Sequence, residues 1–146
     1  MFNDYWMLDQ GFLKRENFGD LRDVIARRHA EGATITIGPE DTLNTAYSRM
    51  KLYDISQLPV LDKNKIVGFI DESDILMSIY GHEERFKSPV HTAMTKKVET
   101  ISKTAGLSEL LPIFDKGNTA VVVENERFLG LITRIDLLNH LRRKMQ

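Results

Sequence analysis

An internal repeat is the feature of this chain that most constrains its fold. Residues 66–76 recur as residues 128–138, each copy reading as a strand, a glycine, two apolar residues and a polar helix start. The match extends upstream, because residues 58–61 align with residues 120–123 at the same offset. Repetition at a fixed offset predicts that each copy forms half of a shared core. Two equivalent halves also predict two equivalent clefts.

Composition and charge exclude several classes of function. The chain has 146 residues, 42% of them hydrophobic and 28% charged, as in an ordinary globular domain. Its net charge of −1 and the lack of a long basic run argue against a nucleic-acid partner. The absence of cysteine excludes disulfides, thiolate metal sites and a cysteine nucleophile. No apolar run reaches membrane-spanning length, so we predict a soluble cytoplasmic protein with no membrane partner.

Hydrophobic periodicity gives both halves the same predicted order of strand, helix, strand, strand and helix. We predict the first repeat over residues 33–81, a linker over 82–97 with one short turn, and the second repeat over 98–146. Residues 1–32 lie outside the repeat, and the spacing of their apolar positions predicts a helix over 20–29. We interpret this segment as a linker and helix from an upstream catalytic domain.

Other local patterns support this organisation. Residues 34–37 alternate like a short strand, and polar turns at 62–65 and 124–127 predict two hairpins. Two apolar stripes at helical spacing predict helices that face the core or a dimer interface. Their members are Leu43, Ala46, Tyr47 and Met50 in the first repeat, and Leu107, Leu110, Leu111 and Phe114 in the second.

The repeats resemble a tandem pair of CBS domains, also called a Bateman module. The residues that carry the resemblance are the ending Gly130-Leu131-Ile132-Thr133-Arg134-Ile135-Asp136, its variant Gly68-Phe69-Ile70-Asp71-Glu72-Ser73-Asp74, and the preceding Leu58-Pro59-Val60. The resemblance implies an α+β fold in which two βαββα CBS repeats pack with pseudo-two-fold symmetry, preceded by an N-terminal linker helix. It also implies a homodimer formed through helical faces.

The N-terminal stretch narrows the resemblance further. Residues 6–13 are similar to the segment that joins the catalytic and regulatory parts of bacterial cystathionine β-synthases. The likeness implies a regulatory module whose partner is the catalytic domain of a parent enzyme, and whose parent carries pyridoxal phosphate. That cofactor needs a Schiff-base lysine and a glycine-rich phosphate loop. Nothing here resembles either, so we predict no catalytic residue, no cofactor in this fragment and no enzyme activity.

The resemblance also implies where an adenosyl ligand binds. An aspartate carboxylate at a strand-to-helix junction can accept hydrogen bonds from both ribose hydroxyls, and a neighbouring threonine adds a third polar partner. The implied ligand residues are Thr133, Ile135 and Asp136 with Ile55, Ser56, Gln57 and Leu58. A second, weaker cleft would use Asp71 and Asp74 with Asn118, Thr119, Ala120 and Val121.

Helix capping explains the same motifs without a ligand. Thr133 and Asp136 have the spacing of a capping box, and Asp71 and Asp74 have the same spacing. An N-cap contributes about 1 kcal/mol, which is enough to account for both pairs. The two roles are compatible with each other.

The two predicted clefts differ in charge. Asp71 stands where the family has a hydroxyl, so a phosphate about 4 Å away would be repelled by roughly 1–4 kcal/mol unless Lys116 or another cation compensates. S-adenosylmethionine has no phosphate and avoids this penalty. In animal enzymes that respond to it, however, an aromatic residue and an acid stand where this chain has Ile55 and Ser56. We therefore predict weak or absent S-adenosylmethionine binding.

Two further functions remain open from the sequence. One is a stand-alone CBS protein that senses adenine nucleotides, and the other is a purely structural dimerisation module. His29, His82, His91 and His140 are too scattered for a metal site. No Ser, His and Asp arrangement predicts a catalytic triad.

Overall fold

The computed structural model describes residues 21–25 and 34–145, which adopt an α+β fold as predicted. They divide into two compact units. The first-repeat unit comprises Ile35–Val98 and Glu126–Phe128, and the second-repeat unit comprises residues 21–25 and Thr34 with Glu99–Asn125 and residues 129–145. Half of the predicted helix over 20–29, residues 20 and 26–29, lies outside the described residues, and so does the segment 6–13. In the described half, only Leu21–Asp23 are helical, as a 3-10 helix.

The first-repeat unit contains two helices and a hairpin. Their bounds are α1 (Leu43–Tyr53), β1 (Gln57–Asp62), β2 (Lys65–Asp71) and α2 (Glu72–Ile79). Helix α1 begins after Thr42, whose side chain accepts a hydrogen bond from the backbone N–H of Thr45 at 3.1 Å. Strands β1 and β2 are antiparallel, with Gln57 opposite Asp71. The hairpin begins after residues 54–56, which follow α1, and its second strand leads directly into α2.

Both predicted hairpin turns are confirmed. In the first, Lys63 and Asn64 have φ values of 54° and 68°, and in the second, Asn125 and Glu126 have values of 50° and 71°. Two successive residues with positive φ are typical of a type I′ turn, whose twist matches that of the strands it joins. The internal repeat is thus preserved down to the turn geometry.

The strand predicted at residues 34–37 is reduced to a single parallel bridge. Ile37 donates its N–H to the carbonyl of Pro59 at 3.1 Å and accepts from the N–H of Leu61 at 2.9 Å. The next residues turn, because the N–H of Asp41 bonds to the carbonyl of Gly38 at 3.2 Å. The turn ends the pairing with β1 after one residue.

The predicted linker over 82–97 contains two 3-10 helices, Glu83–Lys87 and Val90–Thr92, rather than one turn. The N–H of Leu43 donates to Ser88 O at 2.9 Å, and the N–H of Val90 donates to Asp41 O at 2.7 Å. The side chain of Val90 is fully buried. This segment therefore belongs to the packed body of the first-repeat unit.

A glycine in β2 allows the end of this segment to approach closely. A Cβ atom at Gly68 would lie 2.7 Å from the carbonyl oxygen of Thr95 and 2.9 Å from the sulfur of Met94. The backbones of Phe69 and Thr95 exchange two hydrogen bonds beside it, at 2.9 and 2.8 Å. The lack of a side chain at Gly68 is what leaves room for Met94 and Thr95 beside β2.

The second-repeat unit repeats the order of helix, hairpin and helix, preceded by a regular strand and a 3-10 helix. Its elements are β3 (Thr100–Ser102), a 3-10 helix (Leu107–Glu109), α3 (Leu110–Asp115), β4 (Ala120–Glu124), β5 (Arg127–Ile132) and α4 (Arg134–Lys144). Strands β3 and β4 are parallel, with Ile101 opposite Val122. A 3-10 helix at Leu21–Asp23 precedes both repeats in the sequence and lies in this unit.

Each unit has its own apolar core, and the two helical stripes contribute to it as predicted. Tyr47 and Leu111, the remaining members of the stripes, are 44% and 58% exposed. The core of the first-repeat unit consists of Ile37, Leu43, Ala46, Met50, Leu58, Val60, Ile70, Ile75 and Val90. That of the second-repeat unit consists of Leu21, Val24, Ile25, Ile101, Leu107, Leu110, Ile113, Phe114, Ala120, Val122, Ile132 and Leu137.

None of the helices in the described part of the chain has the length and apolar character needed to span a membrane.

Candidate functional site

The second-repeat motif forms a capping box at the start of α4. The carboxylate of Asp136 accepts a hydrogen bond from the N–H of Thr133 at 2.9 Å. In return, the Thr133 hydroxyl accepts one from the N–H of Asp136 at 3.4 Å. The predicted capping role of both residues is confirmed. Because the contact with Thr133 uses Oδ2 of Asp136, and a carboxylate has two oxygens, capping leaves Asp136 chemically able to accept further hydrogen bonds.

Arg134 and Ile135, which lie between Thr133 and Asp136, have different environments. The Arg134 guanidinium donates a hydrogen bond to the carbonyl of Phe114, near the end of α3. It therefore satisfies one of the carbonyls that a helix end leaves without an intrahelical partner. Ile135 is 59% exposed, so its side chain is accessible for covering an apolar ligand group.

The first-repeat motif forms the same box from two acids. The N–H of Asp74 donates to Asp71 Oδ1 at 2.8 Å, and the N–H of Asp71 donates to Asp74 Oδ2 at 3.0 Å. The predicted capping role is again confirmed. Two carboxylates now stand at a junction where the second repeat has one carboxylate and one hydroxyl.

Burial raises the pKa of Asp74 above its ordinary value of 3.8, and the neighbouring carboxylate of Asp71 raises it further. Hydrogen bonds from the Asp71 backbone and from the Thr95 side chain act in the opposite direction without cancelling the rise. The ionised form of Asp74 is therefore less favourable in the folded chain than in the unfolded one. The contribution of Asp74 to stability therefore falls as the pH rises from 3.8 through the raised pKa.

A small polar depression adjoins the first-repeat junction. Its volume is about 240 Å³, and it lies where β1 and α2 begin. The N–H of Glu72 donates to the carbonyl of Ser56 at 3.1 Å, which holds the two chain segments together. Ser56, Gln57, Asp71, Glu72 and Ser73 line the depression. Three of the predicted ligand residues thus meet within the first-repeat unit, in acidic surroundings.

Other predicted ligand residues have buried side chains. Leu58, Ala120 and Val121 are fully buried, so only their backbone could contact a ligand. Ile55 packs against the core of the first-repeat unit and also lines the groove between α1 and α2. Its side chain is therefore half-buried.

Asn118 and Thr119 precede β4 and differ in exposure. Asn118 is exposed and donates its N–H to the carbonyl of Ile113 at 3.2 Å, while Thr119 is half-buried. Lys116 is the cation that would offset the charge of Asp71 in the second predicted cleft. Its ammonium group forms an ion pair with Glu99 at 2.8 Å. The assignment of all these residues to two ligand clefts stays a prediction.

Sequence reasoning missed Thr95. Its side chain bonds to Asp74, and its backbone pairs with Phe69. Thr95 lies outside the repeated segments, so the repeat alignment gave no reason to select it.

No cluster of three or more His, Asp or Glu side chains suited to a metal ion occurs within residues 21–25 and 34–145.

The asymmetry between the two capping boxes can be measured. We expect Asp71→Thr to lower the pKa of Asp74, because the substitution removes a neighbouring charge and keeps an N-cap side chain. The variant should also lose less stability than the parent as the pH rises through the window above 3.8. An NMR titration of the Asp74 carboxyl carbon measures the pKa directly. Glu72→Gln, which removes an adjacent acid outside the box, is the control, and an unchanged Asp74 pKa in Asp71→Thr would contradict the assignment.

Comparison with known proteins places these features in a family. The CBS domain profile matches residues 21–81 and 90–143. A cystathionine beta-synthase of Dictyostelium discoideum is 27% identical over 159 residues, covering 99% of this chain and 32% of that protein. An inosine-5′-monophosphate dehydrogenase of Methanocaldococcus jannaschii is 33% identical over 108 residues, covering 71% of this chain and 21% of that protein. The chain thus spans a third or less of the length of these two relatives.

A solved structure shows the same fold. The crystal structure of a CBS domain-containing protein of unknown function from Bacillus anthracis has a TM-score of 0.74 and 21% identity, covering 90% of this chain and 98% of that one. CBS domains are regulatory rather than catalytic, generally bind adenosyl ligands and commonly dimerise. With the family profile matching both halves, the chain belongs to the CBS domain family and is a CBS-domain regulatory module.

Proposed function

We propose that this chain is the cytoplasmic regulatory and dimerisation module of a pyridoxal-phosphate-dependent cystathionine β-synthase, and that it binds an adenosyl ligand through Thr133 and Asp136. The choice of parent enzyme rests on the share of the chain that is similar to each relative. Similarity to the Dictyostelium enzyme covers 99% of the chain, whereas similarity to the dehydrogenase covers 71%. The wider match includes sequence outside the repeats, which a shared CBS fold alone does not require.

A stand-alone nucleotide sensor is the second candidate. The Bacillus anthracis protein supports it, because 98% of that chain is covered by this one. The genomic reading frame separates the two. We expect it to continue upstream into a domain with a Schiff-base lysine and a phosphate loop, and the purified product to make cystathionine from serine and homocysteine. A frame that begins at Met1 would contradict the proposed parent and favour the sensor.

The chemistry of the second-repeat junction supports ligand binding there. A ribose presents two vicinal hydroxyl groups, and a carboxylate can accept hydrogen bonds from both. Asp136 is half-buried beside the start of α4, and its contact to the Thr133 N–H holds the carboxylate in a fixed position. Exposed Ile135 supplies an apolar surface for the base.

The first-repeat junction favours different ligands. Asp71, Glu72 and Asp74 bring three carboxyl groups to the start of α2, and Asp74 already resists ionisation. A ligand phosphate would add a further negative charge there, at a cost of roughly 1–4 kcal/mol for a separation of about 4 Å. We therefore propose that nucleotides bind at the second-repeat motif and avoid the first.

The packing of Ile55 supports weak binding of S-adenosylmethionine. Its side chain contacts the core of the first-repeat unit, and Ser56 next to it carries no charge. An aliphatic residue cannot stack on adenine as an aromatic ring does, and a serine cannot pair with the ammonium group of the ligand. We expect AMP to bind more tightly than S-adenosylmethionine.

Titration calorimetry with AMP, ATP and S-adenosylmethionine tests the site. Asp136→Asn keeps an oxygen that can cap α4 and removes the charge that binds ribose, so AMP affinity should fall by about tenfold or more. Asp74→Asn is the matched control in the first repeat and should leave AMP affinity unchanged. Equal affinity of Asp136→Asn and the parent chain for AMP would contradict the site. Micromolar S-adenosylmethionine binding that Asp136→Ala abolishes would contradict the proposed weak binding of that ligand.

Exposed apolar grooves on the helices support a homodimer. The groove between α3 and α4 has a volume of about 840 Å³, and the groove between α1 and α2 about 390 Å³. Leu111 and Leu138 in the larger groove are 58% and 61% exposed. Contiguous exposed apolar surface of this kind marks an interaction site, and dimerisation is common among CBS domains.

Sedimentation velocity tests the dimer. Leu138→Glu places a charge in the larger groove, so we expect it to shift a dimeric parent chain to monomer, because burying an unpaired charge is costly. Asn139→Glu, next in sequence and outside the groove lining, should leave the dimer intact. A parent chain that sediments as a monomer would contradict the proposal. A dimer that ignores every adenosyl ligand would favour the purely structural role.

A further inference from the structure

A short segment upstream of the first repeat is buried in the core of the second. Leu21, Val24 and Ile25 are 2%, 3% and 5% exposed and belong to the same apolar cluster as Leu110 and Leu137. The core of the first-repeat unit, among the described residues, contains none of the three. The segment is therefore closer in sequence to the first repeat and packed with the second.

Backbone contacts anchor the segment as well. The N–H of Leu21 donates to the carbonyl of Lys103, just after β3, at 2.7 Å. The N–H groups of Val24 and Ile25 bond to the carbonyls of Leu21 and Arg22, at 3.0 and 3.2 Å. A 3-10 helix of three residues has little stability of its own. Its conformation must therefore depend on the apolar side chains that it buries and on the bond to Lys103.

The charge distribution supports the same placement. Asp23 lies near enough to His140 on α4 to raise the pKa of that imidazole. Burial, Lys144 and Arg143 act in the opposite direction, and the net effect lowers the pKa below 6.5. The acidic side chain of Asp23 thus lies near His140 on α4, as the packing of residues 21–25 in the second-repeat unit requires.

We infer that residues 21–25 are a structural part of the second repeat, which offers an apolar acceptor site for this segment of its own chain. The chain is consequently anchored to the second-repeat unit at Leu21, Val24 and Ile25. A change in the packing of that unit reaches residues 21–25 directly, without first passing through the first repeat. The inference is independent of any ligand and of the proposed parent enzyme.

Two matched valine substitutions in the full chain test the inference. Val24 follows the 3-10 helix Leu21–Asp23 in one core, and Val90 begins the 3-10 helix Val90–Thr92 in the other. Replacing either with alanine removes buried methyl groups and leaves a cavity. Hydrogen exchange measured by mass spectrometry then reports which unit opens more often.

We expect Val24→Ala to raise exchange about tenfold in Ala120–Glu124 and Arg134–Lys144, and to leave Gln57–Asp62 near the parent rate. Val90→Ala should give the reverse pattern. Equal increases in both units, an increase confined to Gln57–Asp62, or no increase after Val24→Ala would each overturn the inference. If Val24→Ala does not fold, Ile25→Val, which removes a single methyl group, decides the question: a smaller increase in the same two segments supports the inference, and any other distribution overturns it.

Discussion

The reciprocal capping contact at each strand-to-helix junction is the interaction on which the arrangement of both units depends. At the end of β2 and at the end of β5, an extended backbone becomes helical within one residue. The first N–H groups of a helix have no partner within it. The side chains of Asp71 and Thr133 meet this need at the residue between strand and helix.

Fixing the first helical residue also fixes which side of the helix faces the core. Asp74 in α2 is followed by Ile75, and Asp136 in α4 is followed by Leu137. Both Ile75 and Leu137 are buried. A helix that began one residue earlier or later would turn each of these side chains by about 100° away from the core. The capping contact contributes about 1 kcal/mol. It nevertheless determines whether the apolar side of the helix is buried, and that burial contributes more free energy than the cap itself.

Helix capping and ligand binding favour different residues at the N-cap position, which is Asp71 in the first repeat and Thr133 in the second. A threonine and an aspartate both serve as N-caps, so the first repeat keeps its junction although it has Asp71 where the second has Thr133. A phosphate-bearing ligand distinguishes the two residues, because the carboxylate of Asp71 repels a phosphate and the hydroxyl of Thr133 does not. The burial of Asp74 beside a second acid is a cost to folding that capping alone does not require. The two junctions are therefore equivalent as structure and different as chemistry.

Local features of this chain could be predicted from the sequence because short-range interactions determine them. The positive φ values at Lys63, Asn64, Asn125 and Glu126, and the two capping boxes, follow from residues adjacent in sequence. The same holds for the α+β order of elements and for the buried side of each helical stripe. Periodicity tells which side of a helix is buried.

Periodicity does not show which part of the fold packs against the buried side of a helix. The apolar spacing around Leu21 and Val24 predicts a helix, but nothing in it selects the second repeat over the first as its packing partner. Thr95 was missed for the same reason, since its contact with Asp74 depends on the close approach that Gly68 permits. The assignment of residues to the clefts remains a prediction because it rests on likeness to a family rather than on local geometry.

The division of the chain also constrains the order in which it folds. The first-repeat unit is built almost entirely from one continuous stretch, so most of its contacts close short loops. The second-repeat unit must bring residues 21–25 together with residues beyond Glu99, across all of the first repeat. Closing that loop costs conformational entropy, and a long flexible loop is slower to close than a short one. If the first-repeat unit folds first, the intervening chain is compact and the flexible part of the loop is much shorter. Packing of Leu21, Val24 and Ile25 is then a late step, and it adds three buried apolar side chains to the core of the second repeat.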